Sequence, residues 1–190
     1  MSYRLRPLTP ADIPQLRQIN PRFMAHTVLK VDRMGPLPFA GWALREVPLE
    51  VPFDKGAAYD FDSIEQQNIR ERLEAGGNLI EVLEDPTQGR LLGIVDVARE
   101  HWRNTGWIWN LMLDESLRGQ GWGRQLFERA LAWARREKLR ALMLETQSNN
   151  TPACHFYARL GFQLVGVNTL FYTNQDIALD EVALFWAYPL

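Results

Sequence analysis

Arg118-Gly119-Gln120-Gly121-Trp122-Gly123 stands between an apolar run at 107–113 and a long amphipathic run from 123 onward. Three glycines in so short a stretch let a backbone turn tightly and come close to a ligand. The helix that follows points free N–H groups and the positive end of its dipole back at the loop. Strand, loop and helix N-terminus together make a cradle for an anion such as a pyrophosphate. The plain alternative is a loop that only reverses the chain. Further residues able to do chemistry follow it in order: Glu145 at the end of an apolar run, Asn150 before Thr151-Pro152, then Cys154 and Tyr157 one helical turn apart.

Each of these has a structural reading beside its chemical one. Glu145 is a candidate general base, or a structural carboxylate capping the next turn. Asn150 fits the N-cap of the helix that Pro152 begins. A helix tyrosine such as Tyr157 is ordinarily a packing residue with its hydroxyl satisfied. Cys154, the one cysteine, reads as inert core, His155 is a runner-up candidate, and His26 and His101 have no motif around them. Asp96 is first a candidate anion for a cationic acceptor and then the reserve base. Glu181 is a further candidate anion, and Trp42, Trp102 and Trp109 could flank such an acceptor through their ring faces.

Two other glycine loops are poor fits. A P-loop ends in Gly-Lys-Ser/Thr, whereas Gly123-Arg124-Gln125 stands here. A dinucleotide fingerprint counted from Gly119 meets Arg124 where its last glycine belongs. Glu145 does lie where a ribose-binding acid would, but a strand meander precedes the loop where that fold needs a βαβ start.

The elements that must carry these residues follow from periodicity and punctuation. Residues 3–7 alternate as a first strand, and Thr9-Pro10 opens a helix with Ile13, Leu16 and Ile19 on one face. Prolines at 21, 36, 38, 48 and 52 make residues 20–62 read as irregular, with aromatics at 23, 39, 42, 53, 59 and 61 to line a pocket. A helix over 63–75 stops at Gly76-Gly77, and strands at 78–84, 90–99 and 107–113 form a meander. A helix over 123–138, an apolar strand at 139–145 and a helix from Thr151 to the stop at Gly161 come next. Residues 163–173 and 181–188 close as an antiparallel pair. The pattern predicts one mixed α/β domain over 1–190.

Composition narrows the class. The 190 residues are 46% hydrophobic and 23% charged, with a net charge of −2, which gives no general pull toward nucleic acid or an anionic membrane. A lone cysteine excludes an intrachain disulfide, no metal-ligand set stands out, and no apolar stretch is long enough to span a bilayer. The N-terminus lacks the apolar segment of a signal peptide, so a cytoplasmic location is expected. Charge is segregated: acidic residues dominate 46–85 and basic ones 118–140, an arrangement suited to an anionic cofactor and a cationic co-substrate, or simply a solvated helix face and an acidic loop.

The ordered series of strand, loop, helix, Glu145, Asn150, Tyr157 and Leu160-Gly161-Phe162 resembles the GCN5-related N-acetyltransferases, whose cofactor loop has the form Gln/Arg-x-x-Gly-x-Gly/Ala. Residues 144–154, the Phe156-Tyr157-Ala158 that follows, and the tail segments 170–173 and 181–186 look like the streptothricin acetyltransferase branch. The resemblance implies a mixed, mostly antiparallel twisted central sheet flanked by helices, with acetyl-CoA as co-substrate and no metal. It implies a cofactor-binding core at about 90–165 and an acceptor-binding segment at about 21–75. It implies that Leu111, Met112 and Leu113 pair with the pantetheine arm and offer a backbone N–H to the developing oxyanion. It also implies that Arg118, Gly119, Gln120, Gly121, Trp122, Gly123, Arg124 and Asn150 bind the cofactor, that Tyr157 protonates the leaving thiolate, and that Glu145 is the base. Many relatives carry a glutamate on the fourth strand where Trp109 stands here, which leaves room for a base acting through water. The acceptor implied is a small cationic amine, near Asp96, Trp109 and Glu181, and a protein N-terminus or a silent acyl-CoA-binding module are the alternatives. The C-terminal strands leave room for a homodimer.

Overall fold

The computed structural model describes residues 3–36, 38–56 and 61–190. Its strands are β1 (Arg4–Pro7), β2 (Met24–Met34), β3 (Gly41–Asp54), β4 (Leu79–Asp85), β5 (Arg90–Glu100), β6 (Thr105–Leu113), β7 (Ala141–Gln147), β8 (Gln163–Asn168) and β9 (Ala183–Pro189). Its α-helices are α1 (Ser63–Ala75), α2 (Trp122–Arg136) and α3 (Thr151–Leu160), with 3-10 helices at Pro10–Gln18 and Glu115–Leu117. Leu37 and residues 57–60 of the expected acceptor segment, Tyr59 among them, lie outside the described residues, as do Met1 and Ser2. The chain is mixed α/β, with a mostly antiparallel sheet and flanking helices, as expected.

Two compact units divide it, one of residues 1–22, Lys55–Leu142 and Leu190, the other of Phe23–Asp54 and Met143–Pro189. In the first, β1, β4, β5 and β6 lie side by side in that order, antiparallel throughout. Ile13 and Leu16 of the first 3-10 helix and Ile69 of α1 are buried with Val82 and Ile94 of the sheet in one apolar cluster. The helix expected after Thr9 is 3-10, not α, because Pro14 has no N–H to give to the Pro10 carbonyl. Its first turn is fastened by Asp12, whose carboxylate accepts from the Thr9 N–H and hydroxyl (2.8 Å each) and from both terminal nitrogens of Arg6 (2.7 and 2.9 Å).

Those bonds, Arg6 foremost, outweigh burial and hold the Asp12 carboxyl down at about 2. A carboxyl depressed in the folded state stabilises above its unfolded value and loses that contribution as pH falls through the folded one. Asp12→Asn is therefore expected to cost about 1–2 kcal/mol at pH 6. The difference from the parent should close as pH falls from about 4 toward 2, read from urea midpoints across that range.

In the second unit β7, β9 and β8 lie in that order, with β8 and β9 antiparallel. β2 and β3 form a separate antiparallel ribbon. The irregular reading of 20–62 is thereby corrected for the described residues. The ladder breaks between Ala25↔Phe53 and Thr27↔Pro48, so residues 49–52 stand opposite His26 alone, and Pro48 and Pro52 bracket that break. The ribbon accommodates its prolines at an irregularity, where a missing donor costs no ladder bond. Thr151 of α3 ties to β2 through its hydroxyl, which donates to the Thr27 carbonyl at 3.1 Å.

The strand expected over 163–173 is shorter in the structure, for β8 ends at Asn168. Beyond it the buried Asp176 carboxylate collects the N–H groups of Phe171 (2.8 Å), Tyr172 (3.1 Å) and Thr173 (2.7 Å) and the Thr173 hydroxyl (2.8 Å). Side-chain bonding of this kind takes backbone donors away from a sheet ladder.

Candidate active site

The loop after β6 is built from both ends. The buried Asp114 accepts from the Ser116 N–H (3.1 Å) and hydroxyl (2.5 Å), the Asn20 N–H (3.1 Å) and Arg90 (2.7 Å). Burial pushes its carboxyl up, but these bonds win and it titrates below its ordinary value. Leu117 before the loop and Trp122 after it share one apolar cluster with Leu83, Leu92, Leu113 and Tyr3.

Between these anchors Gly119 and Gly121 have φ of +74° and +88°, and a Cβ built on either would meet no atom within 4 Å. The backbone is left-handed at both positions and faces open space, the form a loop takes when its amides must reach a ligand. The Gln125 N–H bonds to the Gly121 carbonyl at 3.1 Å, so Trp122, Gly123 and Arg124 supply the first-turn donors of α2 that have no intrahelical acceptor. Arg118 does not extend along the loop: its guanidinium donates to the Pro21 carbonyl (2.6 Å) and the Arg22 carbonyl. Gln120 donates to the Ser116 carbonyl at 2.8 Å. Backbone N–H groups and the α2 dipole give the cradle its positive character, and the exposed Arg124 in the first turn of α2 adds a cationic side chain.

On β6, Leu111, Met112 and Leu113 pair with Val95, Ile94 and Gly93. Asn110 pairs with Asp96 and Ile108 with Val97, so Trp109 is the extra residue of a bulge, and it is 52% exposed. Asp96 is fully buried. Its Oδ2 accepts from Arg72 at 2.7 and 2.9 Å and from Asn110 at 3.2 Å, while Oδ1 has no partner. Arg72 also donates to Glu65 at 2.7 Å and lies 5.2 Å from the centre of the Trp109 ring. Burial raises the Asp96 carboxyl above its ordinary value despite Arg72. Asp96 and Trp109 thus share a cluster, one that carries its own cation.

Glu145, Asn150, Tyr157 and Glu181 belong to the second unit. Glu145, half-buried on β7, accepts a hydrogen bond from the Tyr172 hydroxyl. Asn150 caps α3 by accepting from the Ala153 N–H at 3.2 Å. Tyr157 is buried on α3, its ring edge-on to Phe156 (5.3 Å) and Phe162 (5.5 Å). The half-buried Glu181 gives its N–H to the Asp176 carbonyl at 2.9 Å. His155 and Glu46 are 3.0 Å apart.

Residue type and spacing do not single out Tyr172 as a partner of Glu145, because its segment alternates like a strand, whereas Asp114-Glu115-Ser116 carries an Asx-turn signal that marks the entry to the loop. Among the described residues no group of three His, Cys, Asp or Glu could hold a metal ion, and no helix is long and apolar enough to cross a membrane.

Cys154 is buried against Thr146, and burial pushes its thiol up to about 11. At pH 8 only about one thiol in a thousand is then the reactive thiolate. Iodoacetamide is expected to label the native protein at a small fraction of the rate seen in denaturant, a comparison that mass spectrometry reads directly.

The acetyltransferase (GNAT) family model matches residues 42–162. This chain belongs to that family. It is accordingly an acyltransferase, and the match spans β6, the glycine loop, α2, β7 and α3. A streptothricin acetyltransferase of Streptomyces lavendulae is 30% identical over 193 residues, covering 99% of this chain and 95% of that one. The crystal structure of a nourseothricin acetyltransferase superposes with a TM-score of 0.81 at 29% identity, covering 100% of this GNAT chain and 99% of that one. A Bacillus anthracis protein crystallised with acetyl coenzyme A shares the fold, with a TM-score of 0.76 at 24% identity over 100% and 98% of the two chains. Tyr172 and Asp176 fall beyond the family match but within the reach of these longer alignments.

Proposed function

We propose that this GNAT chain moves the acetyl group of acetyl-CoA by direct attack onto a primary amine of a small cationic acceptor, with a streptothricin-type antibiotic first among acceptors. The observation that carries the reading is the left-handed pair Gly119 and Gly121, open to space ahead of the free first-turn donors of α2. That backbone suits a pyrophosphate, and a fold neighbour is crystallised with acetyl coenzyme A. The named activity of the Streptomyces lavendulae relative supports the acceptor class.

The thioester supplies an electrophilic carbonyl and a thiolate leaving group. In this reading the amine must give up its proton before it attacks, and Glu145 receives it. A backbone N–H in Leu111–Leu113 faces the carbonyl oxygen as negative charge develops there. Tyr157 gives a proton to the departing sulfur, and Asn150 adds a cofactor contact to its capping role. In this reading the acceptor meets the exposed Trp109, with Asp96 acting only through Arg72 because it is fully buried and already paired, and Glu181 as a further anion. The chain is read as one domain over 1–190, with 21–75 as the acceptor segment.

Thiol release from acetyl-CoA by the purified protein, across an amine panel that includes streptothricin, tests this. Rapid release with streptothricin and slow release with simple alkylamines is the expected result. Binding of acetyl-CoA without release to any amine would overturn the catalytic reading, and no binding would overturn the cofactor reading.

A further inference from the structure

The Tyr172 hydroxyl donates to Glu145 Oε1. A half-buried glutamate on a strand ordinarily keeps several rotamers, and a carboxylate that wanders cannot hold a productive distance to an incoming amine. A phenol removes that freedom only if it is itself held. Here it is held twice. The Asp176 carboxylate takes the N–H groups of Phe171, Tyr172 and Thr173, which fixes the backbone on both sides of the tyrosine. The Phe171 ring packs edge-on against Tyr172 (5.1 Å) and against Phe185 of β9 (5.5 Å), which ties the same turn to the sheet. Thr173 extends the knot by accepting from the Gln175 N–H at 2.9 Å. Hydrogen bonds from Phe171, Tyr172 and Thr173 outweigh burial and keep the Asp176 carboxyl below its ordinary value, so the anchor stays charged and accepting.

We propose that Tyr172 is a positioning residue for acetyl transfer: presented by the Asp176-centred turn, its hydroxyl fixes the Glu145 carboxylate in the orientation that receives the amine proton. The inference rests on the reading of Glu145 as the base. In this role Tyr172 orients the carboxylate, and no group is transferred through it.

The test begins with protein labelled with ¹³C at the glutamate δ-carbon, the Glu145 signal being the one lost in Glu145→Gln. In Tyr172→Phe at pH 8 that signal is expected to move while the other glutamate signals stay in place. With acetyl-CoA and streptothricin, kcat should fall about tenfold, while KM for acetyl-CoA stays within about twofold. Asp176→Asn should move the same signal and lower kcat less, and it decides the matter if Tyr172→Phe does not fold. An unmoved Glu145 signal in the variant that folds, or a moved signal with unchanged kcat, overturns the proposal. Full activity in Glu145→Gln would instead sink the base reading itself, a separate failure. Should streptothricin not be acetylated at all, the carbon signal alone decides whether Tyr172 fixes Glu145.

Discussion

Tyr157→Phe is expected to lower kcat for acetyl transfer by about 10²- to 10⁴-fold, the range a positioned proton donor contributes. The substitution removes one oxygen and leaves the ring. Contacts with Phe156 and Phe162 at 5.3 and 5.5 Å persist, so α3 keeps its packing and the thermal midpoint should change little. KM for acetyl-CoA should hold, because a donor used only as the thiolate leaves contributes nothing to ground-state binding. Steady-state thiol release, with cofactor affinity measured separately by calorimetry, separates these quantities. A variant with unchanged kcat would mean that water or the solvent-facing thiolate manages its own departure, and Tyr157 would revert to a packing residue.

The second large effect falls on stability. Arg72→Met leaves the fully buried Asp96 without its main cationic partner, and breaking one side of a buried pair costs about 3–5 kcal/mol. The pH dependence has a definite sign. Burial already holds the Asp96 carboxyl above its ordinary value, and losing Arg72 raises it further. A carboxyl raised in the folded state binds its proton more tightly there than in the unfolded chain, so stability falls as pH rises from the unfolded value to the folded one. The Arg72→Met deficit should therefore be small near pH 4 and grow toward pH 8 in urea titrations. Adding Asp96→Leu to Arg72→Met should recover most of it, since an apolar replacement removes the stranded charge. A deficit independent of pH, or a double variant no more stable than the single, would show that Arg72 acts through packing on Trp109.

Much of the fold is legible from residue 63 onward because its punctuation is strong. Gly76 and Gly161 end their helices, Pro152 starts one, and the apolar face of α2 repeats at helical spacing through Leu126, Phe127, Ala130 and Ala134. The ribbon of β2 and β3 was hidden for physical reasons. Along β2 the buried residues are Ala25, Val28 and Val31, spaced by three where a half-buried strand would show alternation, and β3 carries two prolines. For the site, the loop conformation and the cap at Asn150 follow from residue type alone. The partners of Asp96 and Glu145 do not. Arg72 and Tyr172 lie 24 and 27 positions away in sequence, and only the fold brings them to their carboxylates.

The prolines that obscured the ribbon have a consequence for how the protein behaves in a crowded solution. A two-stranded sheet leaves rows of amide donors at its rims, a template on which another chain can add a strand and seed aggregation. One rim of β2 is partly closed by the Leu29 N–H bonding to the Ser148 carbonyl at 3.0 Å. Along β3, where Val51 is 78% exposed, Pro48 and Pro52 remove two donors at the break in the ladder, and an incoming strand meets gaps where it would need bonds. The ribbon's outer rim is therefore a poorer template for an added strand than its length and exposed apolar residues alone would make it.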